Sequence, residues 1–232
     1  MCVSKQNKKN SGFTLVELSV VLVIIGLIVG SIIFSVSLVE TSKLKSTYTD
    51  VKKYESAFHN FRVRYGALPG DMRDAASYWP GVAENGNGNG LIGGISGWKR
   101  ERLFFWEHLA LGGMMKGTFT GDLADEWIPG LTVPASKMPD AAFNAFHADW
   151  YSHPMAMQIE LGNHKGQSIM CNLDGAALTP AQAQVIDVKL DDGLPKSGDI
   201  YAKNANGTTL CLTGDQYSAS EKVSCNTMFW FN

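Results

Sequence analysis

The sequence predicts an α+β protein: one long N-terminal helix, half membrane-spanning and half amphipathic, packs on a C-terminal antiparallel β-sheet head that carries an irregular insertion. Three observations predict it. Residues 18–34 form an almost unbroken aliphatic run, LSVVLVIIGLIVGSIIF. Behind it, Leu44, Tyr48, Val51, Tyr54, Phe58, Phe61 and Tyr65 recur at spacings of three and four, the period of one helix face. The C-terminal third then changes to short segments bounded by Gly, Pro and Asp, as strands and turns require.

The elements follow in chain order. Residues 1–12 hold Lys5, Lys8 and Lys9 and no acid. Counted from Phe13, the apolar segment through Phe34 has 22 residues, about 33 Å of helix and enough to cross a bilayer core. The lysines precede it, so the positive-inside rule places the N-terminus in the cytoplasm and the body outside. A secretory signal would be shorter and would end at a small-residue cleavage site. It would also have no use for Glu17. A carboxylate inside an apolar segment costs a few kcal/mol and marks function. Gly26 and Gly30 form a GxxxG step that lets helices approach closely. The amphipathic stripe extends the same helix to Tyr65, where Gly66 and Pro69 stop it. The whole element, Phe13 to Tyr65, is about 80 Å long. The domain reading is a leader at 1–12, a transmembrane and assembly helix at 13–35, its amphipathic continuation at 36–65, and an exported head at 66–232.

Within the head, residues 66–150 are rich in Gly and Trp with few periods, apart from a short helix at Glu101–Gly112. Strands are expected at 155–161, 168–173, 199–203, 208–213 and 223–231. Thr179 followed by Pro180 is an N-cap with proline at the first helical position, opening a helix through Leu190.

Composition narrows the function classes. The net charge is −2, and without the leader 17 of the 20 basic residues face all 22 acidic ones. A nucleic-acid binder would carry a basic excess. His59, His108, His147, His153 and His164 are scattered, with no HExxH or GxSxG pattern and no phosphate-binding loop, so no enzyme chemistry is read and no catalytic residue is assigned. Of four cysteines, Cys2 lies in the leader, and none has zinc-site spacing. An exported head permits a disulfide. Cys211–Cys225 is the expected pair, because the intervening loop is short and strand-rich, leaving Cys171 odd. Three reduced, buried cysteines are the alternative.

Ser11-Gly12-Phe13-Thr14-Leu15-Val16-Glu17-Leu18 resembles the N-terminal signature of type IV pilins and type II secretion pseudopilins. The blocks YESAFHNFRVRYGALPGD and VIDVKLDDGLPKSGDI also look like parts of large pilin-like secretion proteins. The resemblance implies a pilin-like fold, cleavage between Gly12 and Phe13 by a prepilin peptidase, N-methylation of Phe13, and an assembly role for Glu17. In a staggered bundle Glu17 would pair with the freed amine of a neighbouring subunit, which offsets the desolvation of both groups.

The implied function is a structural subunit of a type II secretion pseudopilus or a type IV pilus. The implied partners are other pilin or pseudopilin subunits, prepilin peptidase, an inner-membrane assembly platform and membrane lipid. The alternative is a membrane-tethered periplasmic binding module that recognises a ligand or a secreted substrate. Some pseudopilin heads bind calcium near the C-terminus, which makes Asp187, Asp191, Asp192 and Asp199 the calcium candidates. The loop from Asn85 to Ile92 has the spacing of half a calcium loop, but with neutral Asn at the ligand positions and Ser96 in place of the closing Glu.

Overall fold

The computed structural model describes residues 12–93, 100–121, 127–150, 153–163, 174–205 and 208–231. The leader lysines, Cys2, Cys171, His164, Ser96 and the strand expected at 168–173 lie outside the described residues.

Helix α1 runs from Leu15 to Tyr65. It begins two residues after Phe13 because Thr14 and Glu17 form a reciprocal cap. The Thr14 N–H and hydroxyl both donate to Glu17 Oε2 at 2.8 Å, and the Glu17 N–H donates to Thr14 Oγ1 at 3.2 Å. This is the S/T-x-x-E capping box. The helix ends at Gly66, whose φ of +64° and N–H bond to the Arg62 carbonyl make a left-handed C-terminal cap. Between these ends the hydroxyls of Ser31, Ser35 and Thr41 donate to carbonyls one turn back. An apolar helix can therefore carry hydroxyls without leaving a donor unmet.

The chain divides into two units, Met1–Ser42 and Lys43–Asn232. In the first, the described side chains are exposed, and aliphatics occur on every face of the helix. In the second, the remainder of α1 lies on an antiparallel sheet. The sheet holds β1 (Ala141–Trp150), β2 (His153–Asn163), β3 (Ile200–Asn204) and β6 (Cys225–Phe231) in the order β1-β2-β6-β3. Two-residue strands β4 (Leu212–Thr213) and β5 (Gln216–Tyr217) pair as a small ribbon. The short helix α2 (Ala75–Tyr78) and α3 (Glu101–Leu111) belong to the insertion, and α4 (Pro180–Leu190) precedes β3.

The amphipathic stripe supplies the core. Val51, Phe58 and Phe61 are buried and Tyr54 nearly so, while Tyr48 and Tyr65 pack at the margin. Tyr54 makes edge contacts with Trp106 of α3 at 5.0 Å and Phe143 of β1 at 5.2 Å. Phe58 packs near Phe105 and Phe231. One helix face thus joins α3 to the sheet. The opposite sheet face is polar as well as buried: Asn144, Gln158, Glu160 and Asn226 are inaccessible. Asn144 donates to Glu160, and the Trp230 indole N–H donates to Gln158. Lys203 bridges Asp174 at 2.6 Å and Glu160 at 3.7 Å.

Several expectations change in detail. The strand at 155–161 lengthens to His153–Asn163, and the one at 223–231 begins at Cys225. The strand at 208–213 shrinks to Leu212–Thr213. The stretch read as irregular contains β1, which has no hydrophobic alternation because both of its faces are buried.

Candidate functional site

The N-terminal junction is built from few residues. Gly12 and Phe13 precede the helix, and the Phe13 side chain is 87% exposed. Thr14 caps the first turn and so orients Glu17. Both donors from Thr14 go to Glu17 Oε2; among the described residues the other carboxylate oxygen accepts no hydrogen bond. Leu18, Val21, Leu22, Ile25, Ile28, Val29 and Ile32 then present apolar surface to their surroundings. Nothing lies within 4 Å of a Cβ placed on Gly26 or Gly30, so the small-residue step is open. The helix is long and apolar enough to cross a membrane.

Residues 7–33 match the family described as the prokaryotic N-terminal methylation motif. That is the prepilin-type signature of type IV pilins and pseudopilins. The match covers the Gly12–Phe13 junction, Glu17 and the apolar half of α1. With the sheet-packed second half of the helix, the protein is pilin-like, and its signature points to a structural subunit. No curated protein and no solved structure matches the chain.

Two further sites lie in the pilin-like head. At the end of α4, one carboxylate oxygen from each of Asp187, Asp191 and Asp192 converges within 4.8 Å. The Asp199 carboxylate is not part of that convergence; its backbone N–H donates to Asp191 Oδ2, as does that of Ile200. Asp187 accepts from the Gly193 N–H at 2.9 Å and the Tyr217 hydroxyl at 2.6 Å. Asp192 accepts from the Leu194 N–H and the Ser197 hydroxyl. Burial, opposed by its two hydrogen bonds, pushes the Asp187 carboxyl up to about 6, with Asp192 and Asp191 adding to the rise. The local sequence explains the placement: Thr179 and Gln182 form a capping box that fixes where α4 starts, and hence where Asp187 falls. Three hard oxygen donors with a surplus of negative charge fit the chemistry of a calcium ion.

The Asn85–Ile92 loop is organised differently from a cation loop. Its side-chain oxygens are turned inward: Asn85 accepts from the Ala76 N–H, Asn87 from that of Asn89, and Asn89 from that of Leu91. Its backbone N–H groups instead grip two carboxylates. Asn89 and Gly90 donate to Asp71, and Asn87 and Gly93 donate to Glu101. Burial pushes the Glu101 carboxyl up. Sequence reasoning missed Asp71 and Glu101 as the anchors of this loop. The signal was a string of glycines with acids on either side, the composition of an anion-binding nest.

His108 and His147 hold backbone N–H groups in the fold. His108 Nδ1 accepts from the Gly70 N–H, so its ring proton sits on Nε2 and donates to the Glu84 carbonyl. Gly70 has φ +87°, and a Cβ there would meet the Glu101 carbonyl at 2.4 Å. Burial lowers His108 to about 4. His147 likewise accepts from the Ile92 N–H, and burial together with the Arg62 charge lowers it to about 4. Cys211 and Cys225 are joined by a disulfide that ties the β4–β5 ribbon to the buried start of β6.

Proposed function

We propose that this chain is a structural subunit of a type II secretion pseudopilus or a type IV pilus. It inserts once through the bacterial inner membrane with its N-terminus cytoplasmic and its head periplasmic. Prepilin peptidase cuts between Gly12 and Phe13, Phe13 is N-methylated, and an assembly platform draws the helix from the lipid into a fibre. One observation carries the reading: an apolar helix exposed on all faces begins two residues after Phe13, and Glu17 in its first turn commits one carboxylate oxygen to the cap. Lipid satisfies the apolar surface before assembly and neighbouring helices satisfy it afterwards, so transfer between them has a small net free energy. Glu17 supplies direction. Its capped oxygen holds the first turn, while the other can accept the terminal ammonium of an adjacent subunit. Glu17→Ala should leave insertion and leader cleavage intact and abolish incorporation into fibres, scored by shearing and immunoblotting. Normal fibre yield from that variant would refute the pairing.

The acidic turn after α4 is proposed to hold calcium through Asp187, Asp191 and Asp192, which would tie the end of α4 to the turn leading into β3. Thermal unfolding in calcium and in excess chelator tests it. An unchanged midpoint dismisses the site.

A further inference from the structure

The segment from Asn85 to Gly90 repeats Asn-Gly three times, and the fold treats the three pairs unequally. An asparagine side chain is attacked by the main-chain nitrogen of the next residue most readily when that residue is glycine, because no Cβ obstructs the five-membered ring. The nitrogen must be free, its negative charge must be stabilised, and the side-chain carbonyl must be polarised.

At Asn85 the following nitrogen, of Gly86, donates to the Met72 carbonyl at 2.8 Å. A Cβ placed on Gly86 would meet the backbone of Gly70 and Asp71 at 2.4 Å, so the chain is closely packed there. At Asn89 the following nitrogen, of Gly90, donates to the Asp71 carboxylate at 2.8 Å, where developing negative charge would be repelled. At Asn87 the arrangement is the reverse. The Gly88 N–H has no acceptor among the described residues. Arg73 Nε donates to the Asn87 main-chain carbonyl at 2.8 Å. That oxygen shares the charge of a deprotonated Gly88 amide, so the guanidinium stabilises it. The Asn89 N–H, shared with Asp71 Oδ1 at 3.0 Å, donates at 2.8 Å to Asn87 Oδ1, the oxygen that becomes negative as the side-chain carbon is attacked. Asn87 Nδ2 is buried and makes no hydrogen bond, so no contact restrains it from leaving.

We propose that Asn87 is a self-modifying site, with Arg73 and the Asn89 N–H assisting its conversion to aspartate and isoaspartate through a cyclic imide. A solvent base removes the Gly88 amide proton. The Gly88 nitrogen bonds to the Asn87 side-chain carbon, the bond from that carbon to Nδ2 breaks, and Nδ2 departs as ammonia with a proton from solvent. Water then adds to either imide carbonyl and reopens the ring. No oxidant or reductant is needed. The product puts a carboxylate, or an extra backbone methylene, beside the N–H that now holds the buried Glu101, so modification loosens the loop's grip on α3.

The test uses the full chain in detergent micelles, held at mildly alkaline pH in heavy-oxygen water, followed by peptide mass spectrometry with fragmentation. Asn87 should convert about tenfold faster than Asn85 and Asn89, take up one labelled oxygen, and give both products. Arg73→Gln should slow Asn87 by about tenfold and leave Asn85 and Asn89 at their own rates. Equal rates at the three positions, or no conversion at Asn87, would overturn the proposal. An unchanged rate at Asn87 in Arg73→Gln removes Arg73 from the step. Acceleration of all three in that variant would show that Arg73 merely holds the loop closed.

Discussion

Asp187 is a residue whose burial alters its chemistry. Buried at the end of α4, its carboxyl is raised to about 6 from an ordinary 3.8. Between those values the folded chain keeps a proton that the unfolded chain has lost, so this group favours folding more as the pH falls from 6 toward 4. His108 and His147 act in the opposite sense. Both are lowered to about 4 from 6.5, so the unfolded chain takes up protons first and stability falls as the pH drops below 6.5. Asp187 therefore damps an acid loss set by two histidines. In excess chelator, Asp187→Asn should steepen the fall in unfolding free energy between pH 6 and 4, by an amount on the order of 1 kcal/mol per pH unit. Identical slopes for the variant and the parent would count against this account. Glu17 shows a different residue-scale lesson. Its capping bond with Thr14 gives it a local structural task that coexists with the proposed assembly role, so loss of fibres in Glu17→Ala needs a control. Glu17→Gln retains an oxygen for the cap and removes the charge. Fibre loss in that variant too would assign the effect to charge.

At the scale of elements, α1 carries two different surfaces on one continuous backbone. Its first part exposes aliphatics on all sides. Its second part buries one stripe, and Phe61 sits at full burial among Tyr65, Trp79 and the His108 ring. Phe61→Ala should destabilise the head by about 3–5 kcal/mol, measured by chemical denaturation of the detergent-solubilised chain. Membrane insertion should be unchanged, since the stripe begins beyond the apolar run. A destabilisation under 1 kcal/mol would mean that α1 is not the core of the head. Helix α3 is the counterpart: Glu101 through Leu109 are all buried. An eleven-residue helix with every face covered has no amphipathic period to read, and its polar members are there to hold loops. Glu101 holds the Asn-Gly loop, Glu107 accepts from Gly121, and His108 accepts from Gly70.

At the scale of the molecule, the disulfide closes a ring of 14 residues in separation around the β4–β5 ribbon. Two-residue strands cannot hold a ribbon by themselves, so the crosslink to β6 does. Reduction, or Cys211→Ser with Cys225→Ser, should lower stability by about 3 kcal/mol. It should also expose the ribbon to proteolysis before the rest of the head. Cleavage elsewhere first would show that the ribbon stands without the crosslink. The sheet itself, with polar groups interlocked on its second face through Glu160, Asn144 and Lys203, does not depend on that bond.

The sequence by itself determined the N-terminal half of the account. A membrane-length apolar run, its junction and its single carboxylate are contiguous, and contiguous residues interact through local periodicity and solvent alone. The same holds for α4, whose Thr179, Pro180 and Gln182 cap is complete within four residues. Tertiary structure decided the insertion and the loops. β1 was illegible because burial of both faces erases alternation. Asp71 and Glu101 are thirty residues apart in sequence and meet only across the Asn-Gly loop. The three Asn-Gly pairs are identical as dipeptides, and only the fold distinguishes them. Their difference lies in which backbone nitrogen has an acceptor, and acceptors are supplied by parts of the chain that no local pattern brings together.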